Sequence, residues 1–198
     1  MDLFASDPGL APIVIEDGEL AFQRQLALGI GNEAALARLI AETAWRAETI
    51  VVWGKRHPQP RLTAWQGEKA YTYSGLTLAP LPFSPLVLEI KNAVERASGR
   101  RFNSVLLNYY RNERDSMGMH SDDEAELGPT PAIASVSFGA ARTFILKHKC
   151  SQRTVKLDLS SGSVLVMSGQ TQHHWRHGIN KQSQPCGPRV NLTFRFIC

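Results

Sequence analysis

The sequence predicts an α+β chain, a jelly-roll (double-stranded β-helix) core flanked by two N-terminal helices. Three observations predict it. From Arg101 onward the chain breaks into seven short β-type runs divided by turns, the spacing of a closed or sandwiched antiparallel half. Both stretches with helix signals lie before that point, and the absence of βαβ alternation argues against a doubly wound parallel sheet. The bulk composition, 198 residues of which 43% are hydrophobic and 20% charged, suits one sizeable core and predicts a single domain over 1–198.

Taken in order, residues 1–48 are an N-terminal extension carrying the first helix. Gly and Pro punctuate residues 1–31, and the apolar run Pro12–Ile15 can form an edge strand. Asn32 stands where a cap would open a helix to about Arg46, with Leu36, Leu39, Ile40 and Ala44 on one stripe. Residues 49–80 form the next segment. In it Thr49–Gly54 reads as a strand, Lys55–Arg61 as a basic, Pro-rich segment, and Tyr71–Gly75 as a strand or hairpin arm. Ser84 and Pro85 then open a second helix that Gly99 stops, burying Val87, Ile90, Val94 and Ala97. The core, 101–197, holds the seven runs: Phe102–Tyr110, Ile133–Phe138, Arg142–Lys147, Thr154–Leu159, Ser163–Met167, His173–His177 and Arg189–Ile197.

Several function classes are set aside at once. Three cysteines (Cys150, Cys186, Cys198) with no CxxC give neither a disulfide framework nor a cysteine zinc site, which suits a reducing compartment. No apolar run approaches a membrane span, and the start Met1-Asp2-Leu3-Phe4 lacks the pattern of a secretion signal. No membrane role is expected; the expected location is cytoplasmic in a bacterium and nuclear in a eukaryote. The net charge of +4 is compatible with a phosphate-bearing partner but does not by itself require one.

The last strand carries the first chemical signal. Along Arg189–Phe196, Val190, Leu192, Phe194 and Phe196 share one face, while Arg189, Asn191, Thr193 and Arg195 share the other. Such a polar face is either solvated or turned inward to receive an anion. Two arginines leaning inward along roughly 20 Å of strand can hold the two ends of a five-carbon dicarboxylate such as 2-oxoglutarate, because each guanidinium pairs with a carboxylate through two donors. Asn108 and Tyr110, two apart on an earlier run, can hydrogen-bond the same anion.

The second signal is His120-Ser121-Asp122. In an extended segment both functional side chains point the same way and can reach one metal ion. About fifty residues on, the cluster His173-His174-Trp175-Arg176-His177 supplies further imidazoles. Two His and one carboxylate with open coordination positions is the donor set of non-haem Fe(II) oxygenases. Strand geometry leaves His173 and His177 as equal candidates, and a His174-x-x-His177 zinc site is the rival.

Together, Asn108-x-Tyr110, Asp115, His120-Ser121-Asp122-Asp123-Glu124, His177 and Arg189-Val190-Asn191-Leu192-Thr193-Phe194-Arg195 strongly resemble the AlkB family of nucleic-acid demethylases. The similarity extends to Val52-Trp53-Gly54-Lys55, Tyr71–Leu78 and Ile133–Ala140, so it covers roughly residues 50–197 and is greatest toward members that repair duplex DNA. The resemblance implies that His120, Asp122 and His177 ligate Fe(II). It implies that Asn108, Tyr110, Arg189, Asn191, Thr193 and Arg195 bind 2-oxoglutarate. It makes residues 49–80 a nucleotide-recognition flap, with Trp53, Gly54, Lys55, Tyr71, Thr72, Tyr73, Asp123 and Glu124 on the substrate.

The implied activity is oxidative demethylation of bases such as 1-methyladenine and 3-methylcytosine with Fe(II), 2-oxoglutarate and O2, releasing formaldehyde, succinate and CO2. A base within a duplex must be flipped out to reach the iron. Trp53 suits a wedge for the gap it leaves, and Tyr73 a stacking partner for the flipped base. Asp123 suits the positive charge of a methylated base. Lys55, Arg56, His57, Arg61 and Lys69, interleaved with Trp53 and Trp65, read as phosphate contacts. The expected partner is duplex DNA, with single-stranded DNA or RNA as the alternative; a protein or small-molecule hydroxylase and a non-catalytic binder are weaker alternatives. A monomer is expected.

Overall fold

Two antiparallel sheets organise the chain, and the two-residue alternation along their strands sorts every side chain between them. The computed structural model describes residues 9–52, 55–69, 71–73, 76–78 and 80–198. The larger sheet contains β1 (Ala11–Ile15), β2 (Gly18–Gln23), β5 (Leu62–Gly67), β8 (Ser104–Tyr110), β10 (Ile133–Gly139), β13 (Val164–Ser168) and β15 (Arg189–Arg195). Its order is β1-β2-β13-β10-β15-β8-β5. The smaller sheet, ordered β12-β11-β14-β9, contains β9 (Met117–His120), β11 (Arg142–His148), β12 (Thr154–Leu159) and β14 (Trp175–Ile179). Two short ribbons complete the strands, β3 (Thr49–Val52) with β4 (Lys55–Pro58), and β6 (Tyr71–Tyr73) with β7 (Leu76–Leu78).

One face of the larger sheet supports the helices. Val105 and Leu107, Val136 and Phe138, and Leu192 and Phe194 pack against Leu39 of α1 (Asn32–Glu42) and Val87, Ile90 and Val94 of α2 (Pro85–Ser98). Each such side chain, once buried, contributes about 1.5–3 kcal/mol. The opposite face meets the smaller sheet, where Leu106, Ile133, Leu165 and Met167 pack with Phe144, Leu146, Trp175 and Ile179. The expected sandwich, two helices on one side and a β-roll on the other, is the observed one. Gly139 ends β10 at φ +95°, where a Cβ would overlap the Pro188 carbonyl oxygen, so the close approach of β10 to the start of β15 requires glycine.

Helix α2 follows its signals, with Ser84 as N-cap, Pro85 at the first position and Gly99 left-handed at the C-cap, its N–H donating to the Glu95 carbonyl. Helix α1 departs from them. Gly31, not Asn32, is the N-cap, because the Asn32 carboxamide is engaged by Gln25 and the Ser161 carbonyl. The helix ends at Glu42 rather than near Arg46. Thr43 turns extended, Trp45 Nε1 donates back to the Ile40 carbonyl, and the Trp45 ring meets Tyr109 at 5.3 Å.

Strands β2, β4, β5, β7 and β9 were not expected. Strand β5 is buried along nearly its whole length and so shows no alternation, and β9 is a four-residue strand containing Gly118. Trp65, expected in the flap, lies in the core with its Nε1 donating to the Lys69 carbonyl. Phe196, expected on the apolar face of the last strand, is half exposed. The strand stops at Arg195, and Asn103 clamps both main-chain groups of Ile197, burying that residue instead.

The segment His173–His177 is not one strand. Thr171–His174 form a helical turn (α3), and only Trp175 begins β14. His173 and His174 both donate their N–H to the Gln170 carbonyl, so neither shares a strand face with His177. The choice left open by spacing is thereby made by backbone conformation. Trp53 and Gly54 lie outside the described residues.

Candidate metal centre and anion slot

The inner face of β15 is polar over its length, and its neighbours in register are polar too. Arg189 and Asn191 lie opposite Tyr110 and Asn108 of β8, while Thr193 and Asn191 lie opposite Ser135 and Ser137 of β10. Asn191 Nδ2 donates to Ser135 Oγ (2.8 Å) and to the Val136 carbonyl (2.9 Å), and Thr193 Oγ1 donates to Asn191 Oδ1 at 3.0 Å.

Both arginines are buried, and taking a guanidinium out of water costs several kcal/mol unless a counter-charge meets it. Arg195 has that counter-charge in Asp122, Nη2 to Oδ1 at 2.7 Å. Arg189 does not. Its Nη2 donates to Ser137 Oγ (2.9 Å), its Cζ lies 5.0 Å from the Tyr110 ring centroid, and its Nε and Nη1 are buried with no hydrogen-bond acceptor. Among the described residues no carboxylate forms an ion pair with it. Burial pushes the Arg189 guanidinium below its ordinary value; Arg142 acts in the same sense and Tyr110 opposes it. Of the two arginines expected to clamp an anion, Arg195 is thus also tied to the acidic residue of the triad, while Arg189 has no counter-charge among the described residues.

Beside this slot the predicted triad converges. His120 closes β9 and pairs in register with His177 on β14, with the ring centroids 4.3 Å apart. Asp122 follows two residues later, fully buried, with its two oxygens each 3.9 Å from a different imidazole Nε2. One ligand atom from each residue lies within 4.8 Å of the other two, a cluster able to hold a metal ion.

The protonation states suit that use. His120 Nδ1 sits 2.9 Å from the Gly118 carbonyl, which fixes the proton there and leaves the Nε2 lone pair directed at the cluster. Asp122 Oδ2 is buried without a hydrogen-bond partner, an orphan that a cation would satisfy. Burial alone would raise the Asp122 carboxyl, but Arg195 first and then His177 and His120 outweigh it and bring it to about 2. Burial, reinforced by His120 and Arg195 and opposed by Asp122, lowers His177 to about 3. A neutral imidazole and an ionised carboxylate are the forms a metal takes.

These shifts have a consequence for the metal-free chain. As pH falls from the ordinary imidazole value of 6.5 toward about 3, the unfolded chain takes up a proton that folded His177 refuses. Stability is therefore expected to fall through that window, by several kcal/mol in order of magnitude. The Asp122 contribution is lost in turn below 3.8, toward about 2. Urea midpoints measured across this range should show the loss, and His177→Phe should flatten the upper part.

Several residues that support the site carried no motif. Gln172, itself buried, accepts the Asp122 N–H at 2.9 Å, and Ser121 Oγ donates to the Trp175 carbonyl, so two contacts pin the loop that presents Asp122. Phe144 stacks on the His177 ring at 5.2 Å. Arg61 is a correction: it is buried, and its Nε donates to Asn108 Oδ1 at 2.7 Å, so it braces the slot and is not placed to meet phosphate. Asn108 Nδ2 is buried without a partner.

Asp123 is exposed, 3.7 Å from Lys149 Nζ, and Glu124 N-caps a short turn, Ala125–Leu127. Tyr71, Thr72 and Tyr73 form β6, and Lys55 begins β4. A cavity between the sheets is bounded by His120, Asp122 and His177 together with Tyr110, Arg189 and Phe144.

A second cluster, Asp17, His148 and His174, is close enough in space to suggest a metal but is chemically unsuited to one. His148 Nδ1 accepts the N–H groups of both Cys150 and Ser151, so its proton sits on Nε2, facing Asp17 Oδ2 at 3.4 Å. His174 stacks on His148 at 5.8 Å and belongs to this group, which removes the His174–His177 zinc alternative.

A profile of the 2OG-Fe(II) oxygenase superfamily matches residues 31–195. The human alpha-ketoglutarate-dependent dioxygenase alkB homolog 3 is 44% identical over 172 residues, 82% of this chain and 60% of its own length. Human DNA oxidative demethylase ALKBH2 is 44% identical over 158 residues, 75% of this chain and 60% of its own. The protein of the same name from Arabidopsis thaliana is 38% identical over 184 residues, 77% and 58% respectively. The chain thus spans about three fifths of the length of these relatives. The solved structure of OsALKBH1 shares the fold, with a TM-score of 0.64 over 94% of this chain and 100% of that one at 17% identity.

Proposed function

The chain belongs to the 2OG-Fe(II) oxygenase superfamily, and we propose that within it this protein removes N-linked alkyl groups from nucleic-acid bases. The observation that carries the proposal is the buried pairing of a His-Asp-His cluster with a guanidinium that lacks a counter-charge, in one cavity between two sheets. His120, Asp122 and His177 would hold Fe(II). Arg189, with Tyr110, Asn191 and Thr193, would hold 2-oxoglutarate, and Arg195 would fix the carboxylate of Asp122. Bound together with O2, iron and cosubstrate supply the oxidation that turns an N-methyl group into a hydroxymethyl group lost as formaldehyde, with succinate and CO2 as coproducts.

The protein's own residues position and exclude. Gln172 and Ser121 hold Asp122 at one setting, Phe144 walls His177, and the sheets bury Asp122 and His177 away from water. Asp123, next in the chain to Asp122 and exposed, offers a carboxylate that suits a base made cationic by methylation. On the smaller sheet Lys147 pairs in register with Arg176, and Lys149 lies next to them, a basic strip suited to a phosphate backbone.

The names of the relatives, alkB homolog 3 and DNA oxidative demethylase, support alkylated nucleic acid as the substrate class. Duplex DNA is the favoured form, with Trp53 in the role of wedge and Gly54, Lys55, Tyr71, Thr72 and Tyr73 as further substrate contacts; single-stranded DNA or RNA is the second form. Every residue of the cluster and slot comes from one chain, so a monomer suffices. The proposed setting is the cytoplasm of a bacterium or the nucleus of a eukaryote.

The test is formaldehyde release from N-methylated duplex and single-stranded oligonucleotides, with and without Fe(II). Iron-dependent release is expected, with Trp53→Ala losing far more activity on duplex than on single strands. Equal losses on both would remove the wedge, and no release from any oligonucleotide would remove the substrate class.

A further inference from the structure

Arg142 opens β11 on the inward side of a strand whose next inward residues are Phe144, Leu146 and His148. It is 1% exposed, and a cation so placed needs an account. Its Nη2 donates to the carbonyls of Asp115 (2.9 Å) and Asn180, and its Nη1 to that of Asn112 at 3.4 Å. These are dipoles, not counter-charges. The one acid close by, Asp115, is already taken: Arg111 holds both of its oxygens, at 2.8 and 2.9 Å. Among the described residues, none forms an ion pair with Arg142, and its Nε is buried without an acceptor.

The Arg142 Cζ lies 5.7 Å from the Tyr110 ring centroid, and that of Arg189 lies 5.0 Å from the same centroid. Two buried guanidiniums therefore attend one ring, and each acts on the other as a like charge. The ring's electron-rich faces soften that repulsion without cancelling it. A buried positive pair whose neighbouring acid, Asp115, is already held by Arg111 is arranged for an anion that arrives from outside.

We propose that Arg142 is a positioning residue for the distal carboxylate of the cosubstrate, adding a second positive charge beside Tyr110 to the grip of Arg189. The proposal rests on the reading of the slot given above. A 2-oxo acid that reaches the His-Asp-His cluster with its keto end must send its other carboxylate away from Asp122, toward Arg189. Arg142 acts there through the field and through Tyr110, while its hydrogen bonds to 112, 115 and 180 set the loops that close that end.

The test compares two ligands on the full chain loaded with Mn(II), by calorimetric titration: 2-oxoglutarate and 2-oxopentanoate, the same keto acid without the distal carboxylate. Arg142→Gln keeps amide donors and drops the charge. It is expected to weaken 2-oxoglutarate about tenfold, or about 1.4 kcal/mol, and to leave 2-oxopentanoate within about twofold. Arg142→Lys, which keeps the charge, is expected to stay within about threefold of the wild type for both. Equal losses for the two acids would make Arg142 a loop staple and overturn the proposal, as would an unchanged affinity for 2-oxoglutarate. If Arg142→Gln does not fold, Arg142→Lys decides: retained preference for the dicarboxylate supports the role, and lost preference overturns it. A wild-type chain that does not distinguish the two acids removes the slot itself, and this proposal with it.

Discussion

Asp122→Ala is expected to destabilise the metal-free chain by roughly 3–5 kcal/mol in addition to abolishing activity, because it leaves the Arg195 guanidinium buried without its counter-charge. His120→Ala should abolish activity at a cost of about 1 kcal/mol or less, since the His120 side chain is partly open to solvent and its contact with the buried Asp122 carboxylate is 3.9 Å long. For a chain of this length each kcal/mol shifts the melting temperature by about 2–4 °C, so the two variants should differ by roughly 10 °C. Asp122→Asn, which keeps an acceptor for Arg195, should fall between them. The acidic residue of the triad therefore serves stability and chemistry together, and His120→Ala is the cleaner probe of the metal. Equal melting temperatures for His120→Ala and Asp122→Ala would show that the Arg195–Asp122 pair does not hold the slot in shape.

Arg189→Met should act in the opposite direction on stability. The ligand-free chain carries a buried cation with two unsatisfied donors, and replacing it with a hydrocarbon of similar length removes that cost. A rise in stability of about 1 kcal/mol or more is expected. Binding of 2-oxoglutarate should weaken about 100-fold, because charge-assisted hydrogen bonds to the distal carboxylate are lost. The observable is a pair of numbers from one variant, a higher melting temperature without ligand and a smaller thermal shift when 2-oxoglutarate is added. A lower melting temperature would mean that Arg189 is satisfied in the empty protein and is not held ready for an anion.

Much of this was legible in the chain because strand alternation writes the two faces of β15 directly into sequence. Arg189, Asn191, Thr193 and Arg195 take every second position, and a face that polar cannot belong to the helix-side core. His120 and Asp122 were legible for the same reason. His177 could not be selected by spacing, since choosing it over His173 depends on where the turn at Gly169 and Gln170 stops and β14 begins. The residues that brace the site were invisible for a different reason. Gln172, Ser121, Arg61 and Arg142 act through pairings with partners 27 to 54 positions away, which no local period records. Arg61 misled most, because a basic residue in a basic, Pro-rich stretch reads as surface until the fold turns it inward.

The most direct measurement is a titration of the metal-free chain with Mn(II), followed by electron paramagnetic resonance, with and without 2-oxoglutarate. One ion per chain should bind, 2-oxoglutarate should tighten it, and the ion should in turn tighten 2-oxoglutarate by the same factor. His177→Ala should abolish both effects. Undiminished Mn(II) binding in His177→Ala, or an affinity indifferent to 2-oxoglutarate, would contradict a single centre built from His120, Asp122 and His177 beside a slot for a dicarboxylate.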